Sequence, residues 1–366
     1  MQIALFNLMA MHHPAQTPAE VLADTVENVR LAESLGFDAA WFAEHHFSNA
    51  SVCPSPLLMV AHCAAVTQRI ALGPAVVVLP LNNPLRIVQE LGMLDALTGG
   101  RLVLGLGTGH QPHEFRSFGV DIAQRTALLH EGWDILEQGL TTGRVAHDGL
   151  HIKVPPVPLA ATPGRMPPLF LAGGDAGLLE RAARSGATPL VGQGFRTAQM
   201  TVKSVEPIRS AFARAGIAAD RMPLGLQRYV FVTDDKDEAR AAARGLLQMG
   251  RILQNLRLPD PPRDGVHLRD LPLDNEPDEA WLLENCPIGG IDHVLRVLGE
   301  DLRLLRPTHM SLYAGFTTLP RRAVLRALER LGQQVLPFLR HGAIGGPANS
   351  GAAPPCPRRL SPNMQG

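Results

Sequence analysis

The stretch RIALGPAVVVLPLNNPLRIVQELGMLDALTGGRLVLGLGTG, residues 69–109, decides the fold. IALGPAVVVL (70–79) is a short apolar run of strand type, and RLVLGLG (101–107) is a second one. Between them Asn83-Pro84 supplies an N-cap followed by a first helical residue that needs no N–H, so a helix opens there. Strand, helix and strand in close succession make a β-α-β unit of a parallel sheet.

The same alternation continues in both directions. Upstream, strands are expected at 2–8 and 39–44, with helices from Pro18 to Leu35 (Thr17 as N-cap, Gly36 as stop) and at 56–67. Downstream come a helix at 121–140, a strand at 168–173, a helix at 176–185 and a strand at 187–192. A helix from Ala198 to Ala215, a strand at 223–232 and a helix from Asp235 to Asn255 follow, then a helix at 289–305, a strand at 309–314 and a helix at 320–340. Such units without an internal linker predict a single (β/α)8 TIM barrel, class α/β, over residues 1–340. Two insertions interrupt it. The Gly- and Pro-rich segment 143–167 after strand four reads as a hairpin, and 258–280 after strand seven, too rich in proline and acid for core, reads as a lid. Residues 341–366 are poor in aliphatic side chains and are expected to form a disordered tail.

Composition narrows the partners. Lysine plus arginine number 34 and aspartate plus glutamate 34, so no net field draws the chain to nucleic acid or to an anionic membrane, and a small-molecule partner is expected. Cys53, Cys63, Cys286 and Cys356 include no CxxC pair and read as reduced thiols of a cytoplasmic protein. The start, MQIALFNLMA, reads as a buried strand rather than a signal peptide, and no run approaches membrane-helix length.

In a barrel of this kind chemistry belongs at the C-terminal ends of the strands, and three motifs fall there. Glu44-His45-His46-Phe47 follows strand two. Neighbouring residues at a strand end point to opposite sides, so one histidine can face the mouth as a general acid or base while the other packs away. Gly105-Leu106-Gly107-Thr108-Gly109-His110 follows strand four; its spacing departs from the dinucleotide fingerprint, leaving either backbone N–H groups close to a ligand or a tight turn. Gly173-Gly174-Asp175 follows strand five and leads into a helix whose N-terminus suits a phosphate, unless Asp175 simply caps it. His110 and His113 raise a metal site, but the chain has no HExxH and Pro112 would break the helix that joins them, so no metal is expected.

GFDAAWFAEHHFS (36–48), PSPLLM (54–59), the 69–109 stretch, FGVD (118–121) and VLPFL (335–339) together resemble the bacterial luciferase-like, flavin-dependent monooxygenase family. The resemblance implies the same barrel and an oxidoreductase using reduced FMN, supplied by a separate flavin reductase, with O2 as co-substrate on a small organic molecule. It implies His45 as the active-site histidine, with Glu44 beside it as a second catalytic residue. Ala75 and Val76 would lie against the flavin ring, often across a cis peptide. Gly107, Thr108 and Gly109 would run past the ring, and Gly173, Gly174 and Asp175 would serve the phosphate site. A homodimer is also implied. Thr108 stands where luciferase has an arginine, and Asp175 where a hydroxyl residue is common. A deazaflavin-dependent dehydrogenase and a non-catalytic flavin-binding partner subunit therefore stay open beside the monooxygenase.

Overall fold

A computed structural model describes residues 1–342 of the chain. One parallel sheet holds β1 (Gln2–Asn7), β2 (Ala39–Phe42), β3 (Ala71–Pro74), β4 (Val77–Val78), β5 (Leu104–Gly107), β6 (Leu169–Ala172), β7 (Thr188–Gly192), β8 (Gly225–Tyr229) and β9 (His309–Tyr313). β1 pairs with both β2 and β9, β3 pairs with β2, and β4 with β5; a bridge between Leu72 and Leu102 draws the two edges together. β3 and β4 are two halves of one strand, separated at Ala75-Val76, whose peptide bond is cis. The sheet is thus the eight-stranded barrel expected from the sequence.

Strand alternation sorts the side chains into two cores. Ile3, Leu5, Leu72, Leu104, Leu171, Leu226 and Leu312 face outward and pack under the helices. Ala4, Ala39, Trp41 and Phe170 fill the inside. Trp41 meets Phe170 edge-on at 4.8 Å, and Phe170 meets His309 at 5.0 Å, so the barrel floor is closed by aromatic rings.

His309 is half-buried in that floor, and desolvation pushes its imidazole down to about 4 from an ordinary 6.5. A depressed histidine lets the unfolded chain bind the extra proton first. Stability is therefore full above about pH 6.5 and falls as pH drops toward 4, by on the order of 3 kcal/mol from this group. Urea unfolding of wild type and His309→Gln at pH 7 and pH 4.5 checks it: the wild-type loss should shrink in the variant, and an unchanged loss would assign the slope to other groups.

The helices begin and end where their caps dictate. Thr17 and Glu20 form a capping box on α1 (Pro18–Leu35), which stops at Gly36 with φ 86°. Asn83 caps α3 (Pro84–Thr98), accepting from Leu85 and Arg86 N–H. Between β8 and α10 (Ile291–Leu305) lies a wholly buried ion pair: Arg228 Nε meets Asp301 Oδ2 at 2.8 Å, and Gln193 Nε2 donates to Asp301 Oδ1 at 3.0 Å. Arg228 Nη1 also donates to the Arg196 carbonyl at 2.8 Å.

Three sequence expectations change in detail. The strand expected at 223–232 leaves the barrel after Tyr229, because Phe231 N–H bonds to the Pro287 carbonyl and 231–232 pairs with 288–289 instead. The last helix breaks into Arg321–Arg330 and Leu336–Gly342 around a π-helical turn at Leu331–Val335. The segment 258–280, expected as a lid, is stitched down: Asn49 N–H donates to the Val266 carbonyl at 2.8 Å, Leu268 N–H to Asn49 Oδ1 at 2.9 Å, and Arg116 pairs with Asp260 at 3.1 Å. The hairpin expected within 143–167 forms from Arg144–Asp148 and Lys153–Pro158, held by the Glu131 carboxylate, which accepts from Ile152 N–H at 2.7 Å.

Cys53, Cys63 and Cys286 are buried and unpaired, their thiols pushed up by burial to about 12, 12 and 11. Cys356 and nearly all of the expected tail lie outside the described residues. No helix among the described residues is long and apolar enough to cross a membrane.

Candidate active site

The chain leaves β2 at Phe42 and turns at once, bringing Glu44, His45 and His46 to the C-terminal rim. The three side chains take different tasks. Glu44 is only 4 % exposed, and both its oxygens are engaged: Val78 N–H donates to Oε2 at 3.0 Å, and Asn82 Nδ2 and His46 Nε2 approach Oε1 at 3.1 Å each. That carboxylate clamps the β2 turn to the far half of the interrupted strand. His46 packs edge-on against Phe118 at 4.8 Å, away from the mouth. His45 keeps 15 % of its side chain in solvent.

The partners of His45 come from α4 (Pro112–Ser117). Pro112 does not break this helix; it sits in its first turn, where a missing N–H costs nothing, with Gln111 as N-cap. Gln111 Nε2 lies 2.7 Å from His45 Nδ1, and Glu114 Oε1 lies 3.6 Å from the same nitrogen while accepting His46 N–H at 2.7 Å. Gln111 and Glu114 are almost fully buried. Burial pushes the Glu114 carboxyl up, but contact with His45 and the His46 N–H outweighs it and holds the group below the usual carboxylate range. Glu114 is therefore an anion at neutral pH. Gln111 and Glu114 both address Nδ1, which leaves Nε2 as the ring nitrogen free to exchange a proton at the mouth. His110 is exposed and His113 buried, and no group of three metal-ligating side chains exists among the described residues.

At the same C-terminal rim, small residues end successive strands. Ala75, Ala172 and Gly192 occupy the upper layer and are all at least partly open to solvent. Gly107 shares that layer, but its lack of a side chain serves packing: a Cβ there would stand 2.4 Å from Val76 Cγ2, and one on Gly105 would stand 2.4 Å from the Pro74 carbonyl oxygen. Gly109 has φ 69°, and a Cβ on it would strike Val78. Thr108 is half-buried beside it. The result is a bed of small residues between Ala75-Val76 and β7.

At the phosphate end the sequence offered two readings of Asp175, and the structure shows the cap. Asp175 Oδ1 accepts from Gly177 N–H at 2.9 Å and Leu178 N–H at 3.2 Å, at the start of α6 (Ala176–Ser185). The donors an anion would use are already taken. Gly174 next to it faces open space.

Sequence reasoning singled out His45 but missed Gln111, Glu114 and Asn82. Glu114 carries a weak signal, an acid in the first turn of a helix, but helix-dipole stabilisation explains such residues equally well. Contacts separated by 66 and 68 residues, as from Gln111 to His45 and from Glu114 to His46, leave no periodicity to read.

The model of the luciferase-like monooxygenase family matches residues 1–285. Uncharacterized protein y4vJ of Sinorhizobium fredii is 34% identical over 93% of this chain and 98% of its own length. The alkanal monooxygenase alpha chain of the Kryptophanaron alfredi symbiont is 32% identical, over 49% of this chain and 51% of its own length. The oxygenase component of flavin-dependent trigonelline monooxygenase from Acinetobacter baylyi is 27% identical over 66% and 68%. Among solved structures, monooxygenase RslO1 of Streptomyces bottropensis superposes with TM-score 0.80 at 20% identity, over 93% of this chain and 100% of that one. The FMN-bound oxygenating constituent of 3,6-diketocamphane monooxygenase from Pseudomonas putida superposes with TM-score 0.74 at 19% identity, over 92% and 98%.

Proposed function

Since the chain belongs to the luciferase-like monooxygenase family, we propose that it is a two-component monooxygenase, using reduced FMN from a separate flavin reductase and O2 to oxygenate a small organic substrate. One observation carries the reading: His45, held at Nδ1 by Gln111 and Glu114, stands at the C-terminal rim where small residues end successive strands. The name of the trigonelline relative, an oxygenase component, favours a separate reductase. Working as a cytoplasmic homodimer belongs to the same proposal.

The bed fits a flat ring. Ala75, Val76 and Ala172 would support it, with the backbone of Gly107, Thr108 and Gly109 along its edge and Gly173-Gly174 at its phosphate end. Bound there, the flavin would supply electrons to dioxygen. The chain's own residues keep water away with apolar walls and exchange a proton at His45 Nε2. Glu44 acts as a positioning residue, since its oxygens hold Val78 and Asn82.

Fluorescence quenching of FMN, oxidised and anaerobically reduced, tests the proposal: the reduced form should bind more tightly. Absence of both, with binding of a deazaflavin instead, would move the chain to the dehydrogenase reading. The Asp175 cap gives a sharper expectation. Asn caps a helix about as well as Asp but carries no charge. Asp175→Asn should tighten FMN by about fivefold, or about 1 kcal/mol of relieved repulsion near the surface, with little change in stability. An unchanged Kd would mean that the phosphate sits elsewhere.

A further inference from the structure

The far side of the mouth, on β8, β9 and β1, has a different chemistry from the bed. On β8, Leu226 joins the outer core and Arg228 reaches Asp301 under the helices, so Gln227 between them faces the barrel. On β9, Met310 and Leu312 face outward and Ser311 faces in. Register pairs Ala4 with Ser311, Ser311 with Gln227, and Gln227 with Gly192, which puts both polar side chains in one layer. Ser311 is 7% exposed, and neither its Oγ nor the buried Gln227 Nε2 has a hydrogen-bond partner among the described residues.

Directly above this layer stand aromatic walls: Phe6 meets Tyr313 at 5.7 Å, and Tyr229 meets Tyr313 at 5.4 Å, both edge-on. Gly192, exposed and without a side chain, borders this layer on β7. A buried polar group without a partner is destabilising, and leucine or alanine would fit a barrel interior without that penalty. Groups kept unpaired at the chemical end of a barrel are groups awaiting a ligand atom.

Their chemistry specifies the atom. Gln227 Nε2 can only donate, and the Ser311 hydroxyl can rotate to donate beside it. Two donors paired in register on adjacent strands match an oxygen acceptor. Among the described residues no inward side chain at this level is cationic, so the match is to a neutral oxygen rather than a carboxylate. The proposed flavin bed lies on β4 to β6, which leaves this quadrant for the second reactant. We propose that Gln227 and Ser311 form an oxygen-binding subsite that orients the substrate by a neutral carbonyl or amide oxygen, between the Phe6, Tyr229 and Tyr313 rings. The role as substrate subsite rests on the monooxygenase reading; recognition of the oxygen does not.

Cyclohexanone and methylenecyclohexane have nearly the same shape and differ in whether that position is O or CH2. Dissociation constants for both, by ligand-observed NMR on the full chain, should favour cyclohexanone by about tenfold or more in the wild type, because a site with buried donors rejects the analogue that leaves them unpaired. In Gln227→Leu/Ser311→Ala the ratio should fall close to one. No preference in the wild type, or a preference that survives in the double variant, overturns the proposal. Should the double variant fail to fold, Ser311→Ala alone decides, with a ratio lowered by about threefold or more expected and an unchanged one fatal. FMN titration of the same preparations separates the two readings: a wild type that binds no flavin ends the monooxygenase reading and leaves the ketone-to-alkene ratio to judge the subsite.

Discussion

Arg228→Met is expected to lower the free energy of unfolding by about 3–5 kcal/mol, the largest stability effect anticipated from a single side chain here. The substitution is close in volume, so little of the loss is packing. What remains is Asp301, fully buried, with Gln193 as its one surviving hydrogen-bond donor. An uncompensated carboxylate in the interior must lose its solvation, take up a proton or pull the structure apart. The Arg196 carbonyl loses its donor as well. Replacing both ions, as Arg228→Met/Asp301→Leu, should restore most of the stability, because the desolvation of the pair disappears with it. Urea denaturation of the three proteins at pH 7 checks this. A double variant no better than the single one would show that the pair contributes more than its own rescue.

His45→Ala is expected to reduce kcat/KM for oxygenation by about 10²–10⁴, the range over which positioned proton transfer acts. The fold should survive, since the His45 side chain is partly in solvent. Glu114→Gln separates chemistry from support. It keeps an acceptor for the His46 N–H but removes the anion beside Nδ1, so it should slow the reaction by about tenfold and shift its pH profile. Loss of kcat in both variants with flavin affinity retained places the pair in one catalytic unit. A His45→Ala enzyme that oxygenates at the wild-type rate would end that role for the histidine.

The parts of this molecule that were legible in the sequence are those specified by neighbours along the chain. Thr17, Gly36, Asn83 and Asp175 each act on backbone groups within a few residues, and the caps they make stand where local rules put them. The barrel follows from repetition of one unit. Legibility fails where a side chain is defined by a partner far along the chain. Glu44 reads as a catalytic residue from the sequence, while its bonds to Val78 and Asn82, 34 and 38 residues away, are what give it a positioning role in the proposal. Asp175 was legible as a cap or as a phosphate residue, and only the two short bonds to Gly177 and Leu178 choose. Gln227 and Ser311 gave no signal at all, because a polar residue inside a strand reads as solvent-facing until the strand's neighbours show which side is the interior.

The glycines beside the interrupted strand bear on how this enzyme could be redesigned. At 105 a side chain would collide with the Pro74 carbonyl oxygen and at 107 with the Val76 side chain, each at 2.4 Å, so libraries at these positions should return mainly glycine. Gly192 is different: an added methyl group there would meet only the Gln227 amide oxygen, at a comfortable 3.6 Å. The mouth therefore has one wall that selection cannot rewrite and one that it can, and new substrate preferences should be sought by varying 192, 227 and 311 while leaving the glycine run untouched.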